Sequence, residues 1–383
     1  MRRLGWLLIA LAVLPGCKLF KGKSKDTIEP PAALVDFEKS ADVRRLWSSS
    51  TGEGVERTGA RPRPAYADGK VFVTDVDGGL LAYSADTGKR LWQHESAERL
   101  VSGADARGDI VVAGSIDGQV IAVDAASGEE RWTSRVSSEL LVAPIISGDV
   151  VLVRSNDGRV HGLAASDGKV LWQFDRGTPL ISLRGNGPPL ISGGTAFIGY
   201  DNARIVALNI ADGTLRWEQT IARADGRTEL DRMNDIDGEL QLIDDMLFSV
   251  TYRGQISALA ADNGRALWGR DLSSYAGVSS SGDVLYAVDD NGVLWAVDRR
   301  SGSSLWKQEA LAHRWLTTPV VMGDYLVTGD VEGYVHWLKR EDGSTAARFR
   351  LGKKGVRAAP LVVGNRVFVA SVDGKLAAFQ IGD

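Results

Sequence analysis

The 383-residue chain has a single cysteine, Cys17, so no intramolecular disulfide can staple it. It has only four histidines, His94, His161, His313 and His336, and none belongs to a His-Glu-x-x-His or Cys/His ligand pattern. No Gly-x-Ser-x-Gly elbow offers a serine nucleophile, and no Gly-x-x-x-x-Gly-Lys-Ser/Thr loop offers a phosphate cradle. A sustained 3.6-residue apolar period is missing beyond the extreme N-terminus, so helices are expected to be scarce. The folded part has no basic run, which argues against a nucleic-acid partner.

What the chain does have is a repeat. Asp/Thr/Ser/Asn-Gly-x-x-x-Trp marks occur at Gly88–Trp92, Gly128–Trp132, Gly168–Trp172, Gly213–Trp217, Gly264–Trp268 and Gly302–Trp306. With Trp47 before them and a degenerate copy from Gly343 to Phe349 after them, the marks are 45, 40, 40, 45, 51, 38 and 43 residues apart. Periods of about 40 to 50 residues indicate propeller blades or solenoid units. Between the marks, short runs such as Ile110–Ser115 and Gln119–Val123 alternate or cluster β-branched residues, and Asp117-Gly118, Asp157-Gly158, Asn291-Gly292 and Asp373-Gly374 supply hairpin turns. Each repeat therefore reads as a four-stranded antiparallel meander, strands A to D, with the weak first strand of one repeat placed near Leu140 to Ile145 and the Trp on strand D. The C-terminal runs 365–370 and 375–380 have no D strand after them, and Arg45-Leu46-Trp47 is a D strand with nothing in front. Pairing these ends predicts an all-β, eight-bladed β-propeller over residues 41–383, its ring closed by the N- and C-terminal strands.

The chain opens with Arg2-Arg3, an apolar stretch from Leu4 to Val13, and Leu14-Pro15-Gly16-Cys17. A charged start followed by a short apolar core reads as an export signal over residues 1–16. Leu-x-Gly-Cys resembles the bacterial lipobox, which implies acylation of Cys17. Lys18 follows it in place of the Asp that retains such proteins at the inner membrane, which implies the periplasmic face of the outer membrane. Residues 17–40, with four lysines before Pro30-Pro31, read as a lipidated flexible tether. Without residues 1–16 the chain loses Arg2 and Arg3, leaving 43 basic against 49 acidic residues, a net charge of −6.

If the repeats are scaffold, function is expected where they are broken. Two excursions follow the D-strand tryptophans of consecutive blades, within 175–189 and 220–240, and the meander puts both on one face. The first contains Ile181, Leu183 and Arg184; the second is dense in carboxylates and contains Asp235 and Asp237. Aliphatic anchors flanked by both charge signs suit a protein interface. Solvated turn acids with a local Arg184 pair, or a calcium site, are the alternatives the residues leave open, although the full Asp-x-Asp-x-Asp-Gly loop ending in Glu is missing.

Two resemblances bear on function. The form Ala82-x-x-x-Asp86-Thr87-Gly88-x-x-x-Trp92 resembles the tryptophan-docking motif of pyrroloquinoline-quinone dehydrogenases. That likeness implies the propeller type; the lone cysteine and the near-minimal repeats speak against a quinone cofactor, so no cofactor is expected. More specifically, the lipobox, the Trp repeat, Ser182-Leu183-Arg184-Gly185 and Glu229-Leu230-Asp231-Arg232 through Asp235-Ile236-Asp237 resemble the BamB family, propeller lipoproteins of the outer-membrane β-barrel assembly machinery. The resemblance implies a non-catalytic scaffold that binds the POTRA domains of a BamA-like subunit through Ile181, Leu183, Arg184, Asp235 and Asp237. It also leaves room for unfolded outer-membrane clients pairing with exposed strand edges. A quinoprotein relative and an envelope propeller with another partner are the rival readings.

Overall fold

The computed structural model describes residues 29–382 except 56, 57, 59, 78, 177–186 and 223–233. Among these, thirty-two strands pair into eight antiparallel four-stranded sheets, and no α-helix occurs. Blade 1 runs in chain order through Ala65–Ala67, Lys70–Thr74, Gly79–Ser84 and Arg90–Glu95. Blades 2 to 7 repeat this A-to-D order up to Arg350. The eighth blade is composite: Leu361–Val363, Arg366–Ala370 and Lys375–Ile381 are completed by Val43–Ser50, with Val43 opposite Ile381 and Ser50 opposite Lys375. The ring thus closes through the terminal strands as the repeat predicts. Strand A of blade 3 begins later than expected, at Ile145–Ser147, because Leu140 instead turns inward as a fully buried plug beneath Gly114.

The tryptophans join the blades. Each indole of Trp47, Trp92, Trp132, Trp172, Trp217, Trp268 and Trp306 donates its N–H to a carbonyl of the next blade, at 2.9 to 3.2 Å. The ring lies flat on the glycine of that blade's C–D turn. At Gly213, with φ +71, a Cβ would stand 2.4 Å from the Trp172 ring, so the turn needs glycine for conformation and for space alike. Gly213→Ala is expected to cost about 2–4 kcal/mol in denaturant unfolding, from left-handed strain and overpacking together. Gly282→Ala, at φ +58 with open space around it, should lose only the strain, about 1 kcal/mol. Equal losses at the two sites would refute the docking account.

Blade 7 breaks the rule. In the other blades the tryptophan on D faces a small residue on C, as Ala82 faces Trp92 and Gly162 faces Trp172. In blade 7 the pair is inverted, with Trp337 on C facing Ala347 on D. Phe349, which the spacing marks as the degenerate docking residue, instead packs edge-on to Trp337 at 5.7 Å. The reason lies in the ring closure. The next C–D turn would belong to blade 8, where the chain is interrupted between Ile381 and Val43, so no glycine turn exists to receive an indole. There the Ser40 and Ala41 amides bond Ala346 O at 3.0 and 3.3 Å.

Residues 32–40 run along blade 7. Ala32 N–H bonds Ala312 O at 2.9 Å, Arg348 Nη1 reaches Val35 O at 3.3 Å, and the Arg348 guanidinium sits 4.9 Å over the Phe37 ring.

Strand D ends opposite the start of strand C, as Glu95 lies opposite Gly79, so all D-to-A connections emerge on the face of the B–C hairpins. The connection from blade 8 to blade 1 crosses this face. Val55 N–H bonds Val372 O in blade 8, Gly54 N–H bonds Asp75 Oδ1 in blade 1, and the Pro62–Arg63 backbone packs on Gly103 of blade 2. Its arginines then reach the connections entering blades 5 and 6, Arg63 Nη1 to Glu239 Oε1 at 3.4 Å and Arg61 Nη1 to Tyr275 O at 3.1 Å. Blades 1 and 2 lie opposite 5 and 6 in an eight-membered ring, so this segment spans the axial mouth.

Candidate partner-binding face

Ile181, Leu183 and Arg184 lie outside the described residues, so the structure places only the ends of the two excursions. Those ends meet. A Cβ on Gly187, at the close of the first, would stand 2.7 Å from Gly238 O and 3.0 Å from Ile236 O in the second. The described ends of the two excursions therefore touch one another.

The second end is laid down tightly between blades. Ile236 is buried, packs on Gly199, where a Cβ would stand 2.4 Å from Ile236 Cγ2, and bonds Tyr200 O through its amide at 3.4 Å. Asp235 is buried, and its carbonyl accepts the Tyr252 N–H at 3.0 Å. Gly238 sits against the Ala276–Gly277 backbone so closely that no side chain fits there. Along this extended segment Asp235 and Ile236 are both buried, and Asp237 is partly exposed.

Asp237 carries the site's charge. Burial, then the neighbouring Asp235 and Asp201, push its carboxyl up to about 7, against the weaker pull of Arg61 and Arg154. Its Oδ1 is sealed from water and accepts no hydrogen bond among the described residues. A carboxylate in this state has a large unmet demand for a cation or donor. Arg154 lies beneath it, buried, with Nη1 on Gly187 O at 2.7 Å and its guanidinium 5.2 Å over the Tyr200 ring. Burial pushes the Arg154 guanidinium down and the Tyr200 phenol up to about 12. Arg154 thus ties the first excursion's end to the ring beside the second.

Spacing alone missed Arg154, Arg61 and Arg63. The signal for Arg154 was present: a charged residue closes the otherwise apolar strand Val150–Arg154, where a buried position is built. Arg61 and Arg63 left none, because their partners are about 180 to 210 residues away in sequence. The histidines do not converge, since His161 and His336 are buried in separate blades. Among the described residues no group of three or more His, Cys, Asp or Glu side chains is placed to hold a metal ion.

Comparison with known proteins bears on the family and the fold. The sequence profile of the family described as outer membrane protein assembly factor BamB matches residues 33–103, 77–308 and 296–383. The outer membrane protein assembly factor BamB of Pseudomonas aeruginosa is 45% identical over 376 residues, covering 98% of this chain and 97% of that protein. The crystal structure of BamB from Moraxella catarrhalis superposes with a TM-score of 0.82 at 29% identity, over 88% of this chain and 99% of that one. Quinohemoprotein alcohol dehydrogenase from Comamonas testosteroni superposes at TM-score 0.71 over 89% of this chain and 76% of its own, but at 16% identity, a likeness of fold alone. The extent and identity of these matches mean that the chain belongs to the family of the outer membrane protein assembly factor BamB.

Proposed function

We propose that this protein is a non-catalytic scaffold of outer-membrane β-barrel assembly, held at the periplasmic face of the outer membrane by an acylated Cys17. Its partner is the POTRA region of a BamA-like barrel subunit, received by the face on which the two excursions meet. Ile181 and Leu183 supply aliphatic anchors, Arg184 a guanidinium, and Asp235 and Asp237 the opposite charge. The observation that carries this reading is the junction of Gly187 with Ile236–Gly238, beside a partly exposed carboxylate whose Oδ1 has no donor among the described residues. The relatives' shared name, assembly factor, supports a scaffold over an oxidoreductase. A rigid spacer is favoured over strand-pairing with clients, because the outer D strands carry a bulge at the residue before Trp, which bends the edge and blunts it as a template.

The test is a pull-down of the barrel subunit's periplasmic region by the full-length protein and by Arg184→Glu, with circular dichroism confirming that both fold. Binding by the wild type and at least tenfold weaker binding by the folded variant are expected, since breaking a buried interfacial charge contact costs about 2–5 kcal/mol. A wild type that fails to bind would remove the partner; equal binding by both would remove Arg184 from the interface.

A further inference from the structure

The D-to-A connection entering blade 7 holds a tryptophan in a costly posture. Trp315 has φ +50, a left-handed conformation that a bulky side chain rarely adopts, and His313 two residues earlier has φ +58. Trp315 is 52% exposed, although both its neighbours, Arg314 and Leu316, are buried. Arg314 is pinned by Asp330 at 2.7 Å, and Leu316 joins the core between blades 6 and 7. The chain is thus fixed on either side so that the indole is driven outward against its conformational preference. Its ring is backed by Tyr275, with centroids 5.5 Å apart at 34°. Strain of this kind, held in place by its surroundings, marks functional positions, and a rigid aromatic with an exposed face is the usual form of an interface hot spot.

Trp315 is continuous with the acidic segment. Gly238, next to Asp237, abuts Ala276, next to Tyr275; Val278 N–H bonds Glu239 O at 3.2 Å, and Gly277 N–H bonds Thr318 Oγ1 at 2.8 Å. Three successive D-to-A connections are therefore joined edge to edge on one face. Arg61, from the segment across the mouth, holds Tyr275 O and is also among the charges acting on Asp237. The surface carries the partly exposed Asp237 at one end and Asp289 and Asp290 about Tyr275 at the other, so its charge complement is basic.

We infer that Trp315, backed by Tyr275, is a second anchor for the polypeptide partner that Asp237 receives, and that this partner sets a basic side chain on Asp237 and an apolar one on Trp315. The inference rests on the proposed function and extends its interface from the connection entering blade 5 to that entering blade 7.

The experiment titrates the barrel subunit's periplasmic region against full-length wild type, Trp315→Gly, Trp315→Phe and Asp237→Asn. Trp315→Gly is expected to bind at least tenfold more weakly while its denaturant midpoint is no lower than wild type, because glycine takes this φ without strain. Trp315→Phe should retain most of the affinity. Should Trp315→Gly lower the midpoint, Trp315→Asn, which also tolerates the left-handed region, takes its place under the same tenfold criterion. Trp315→Gly binding within twofold of wild type, with Asp237→Asn weakened, would overturn this inference and leave the proposed function standing. No binding by the wild type would overturn both.

Discussion

Asp237→Asn is expected to stabilise the protein at pH 8 and to weaken its binding to the barrel subunit's periplasmic region. The two effects share one cause. A carboxyl with a folded pKa of about 7 against an unfolded value of about 3.9 binds a proton more readily in the native state. The stability it contributes is therefore full below about pH 4 and is lost as pH rises through about 7. The full shift corresponds to about 4 kcal/mol, and partial exposure of the side chain reduces this to about 1–2 kcal/mol. Asparagine carries no charge to strand, so thermal unfolding at pH 8 should shift upward by a few degrees while at pH 4 it changes little. Binding runs the opposite way. If a basic side chain of the partner meets the ionised carboxylate, wild-type affinity should fall about tenfold from pH 8 to pH 6, as the ionised fraction drops. Asp237→Asn should flatten that profile and lower affinity at pH 8 by about 30-fold or more. A variant that is less stable at pH 8 and binds normally would show that Asp237 is a structural acid.

Arg314→Met is expected to cause a large loss of stability, about 3–5 kcal/mol, as a buried carboxylate loses its cation. Arg314 Nε meets Asp330 Oδ2 at 2.7 Å with both side chains buried, its Nη1 donates to Ala32 O at 2.8 Å, and its Nη2 pairs with Glu332. His336, fully buried with Nε2 2.9 Å from Asp330 Oδ2, stays neutral because burial pushes its imidazole down, and it donates Nε2–H to the carboxylate. Burial works to raise Asp330, but the His336, Tyr334 and Arg314 contacts outweigh it and hold the carboxyl low. Removing the guanidinium alone strands that charge; Arg314→Met with Asp330→Asn should recover much of the loss, because asparagine still caps the Glu332 and Tyr334 amides at the B–C turn. Hydrogen exchange should show the Ala32 amide losing protection in the single variant, since Ala32 is held from its carbonyl side by Arg314. A single variant as stable as the double would refute the account.

The blade count, the meander and the closure by terminal strands were legible because each rests on local rules: glycine turns, strand alternation and a tryptophan at fixed distance from a glycine. The candidate face was read as a departure from that rule; Asp235 and Asp237 stand at the end of the second departure, and Ile181, Leu183 and Arg184 lie outside the described residues. Reading blade 7 from spacing pointed to Phe349, and the residue that substitutes for the missing dock, Trp337, stands on the neighbouring strand. No local rule reveals that exchange, since its cause is the break between Ile381 and Val43 brought beside blade 7 by ring closure. The same holds for the 51–64 connection, whose Arg61 and Arg63 find Tyr275 and Glu239 only across the mouth, and for Trp315, whose exposure follows from the burial of its two neighbours. The sequence by itself determined the repeating unit, its number and the position of its interruptions, because those depend on residues a few positions apart. Only the tertiary structure decided which interruptions touch and which charges lack a partner, because burial and pairing are set by residues that meet when the ring closes.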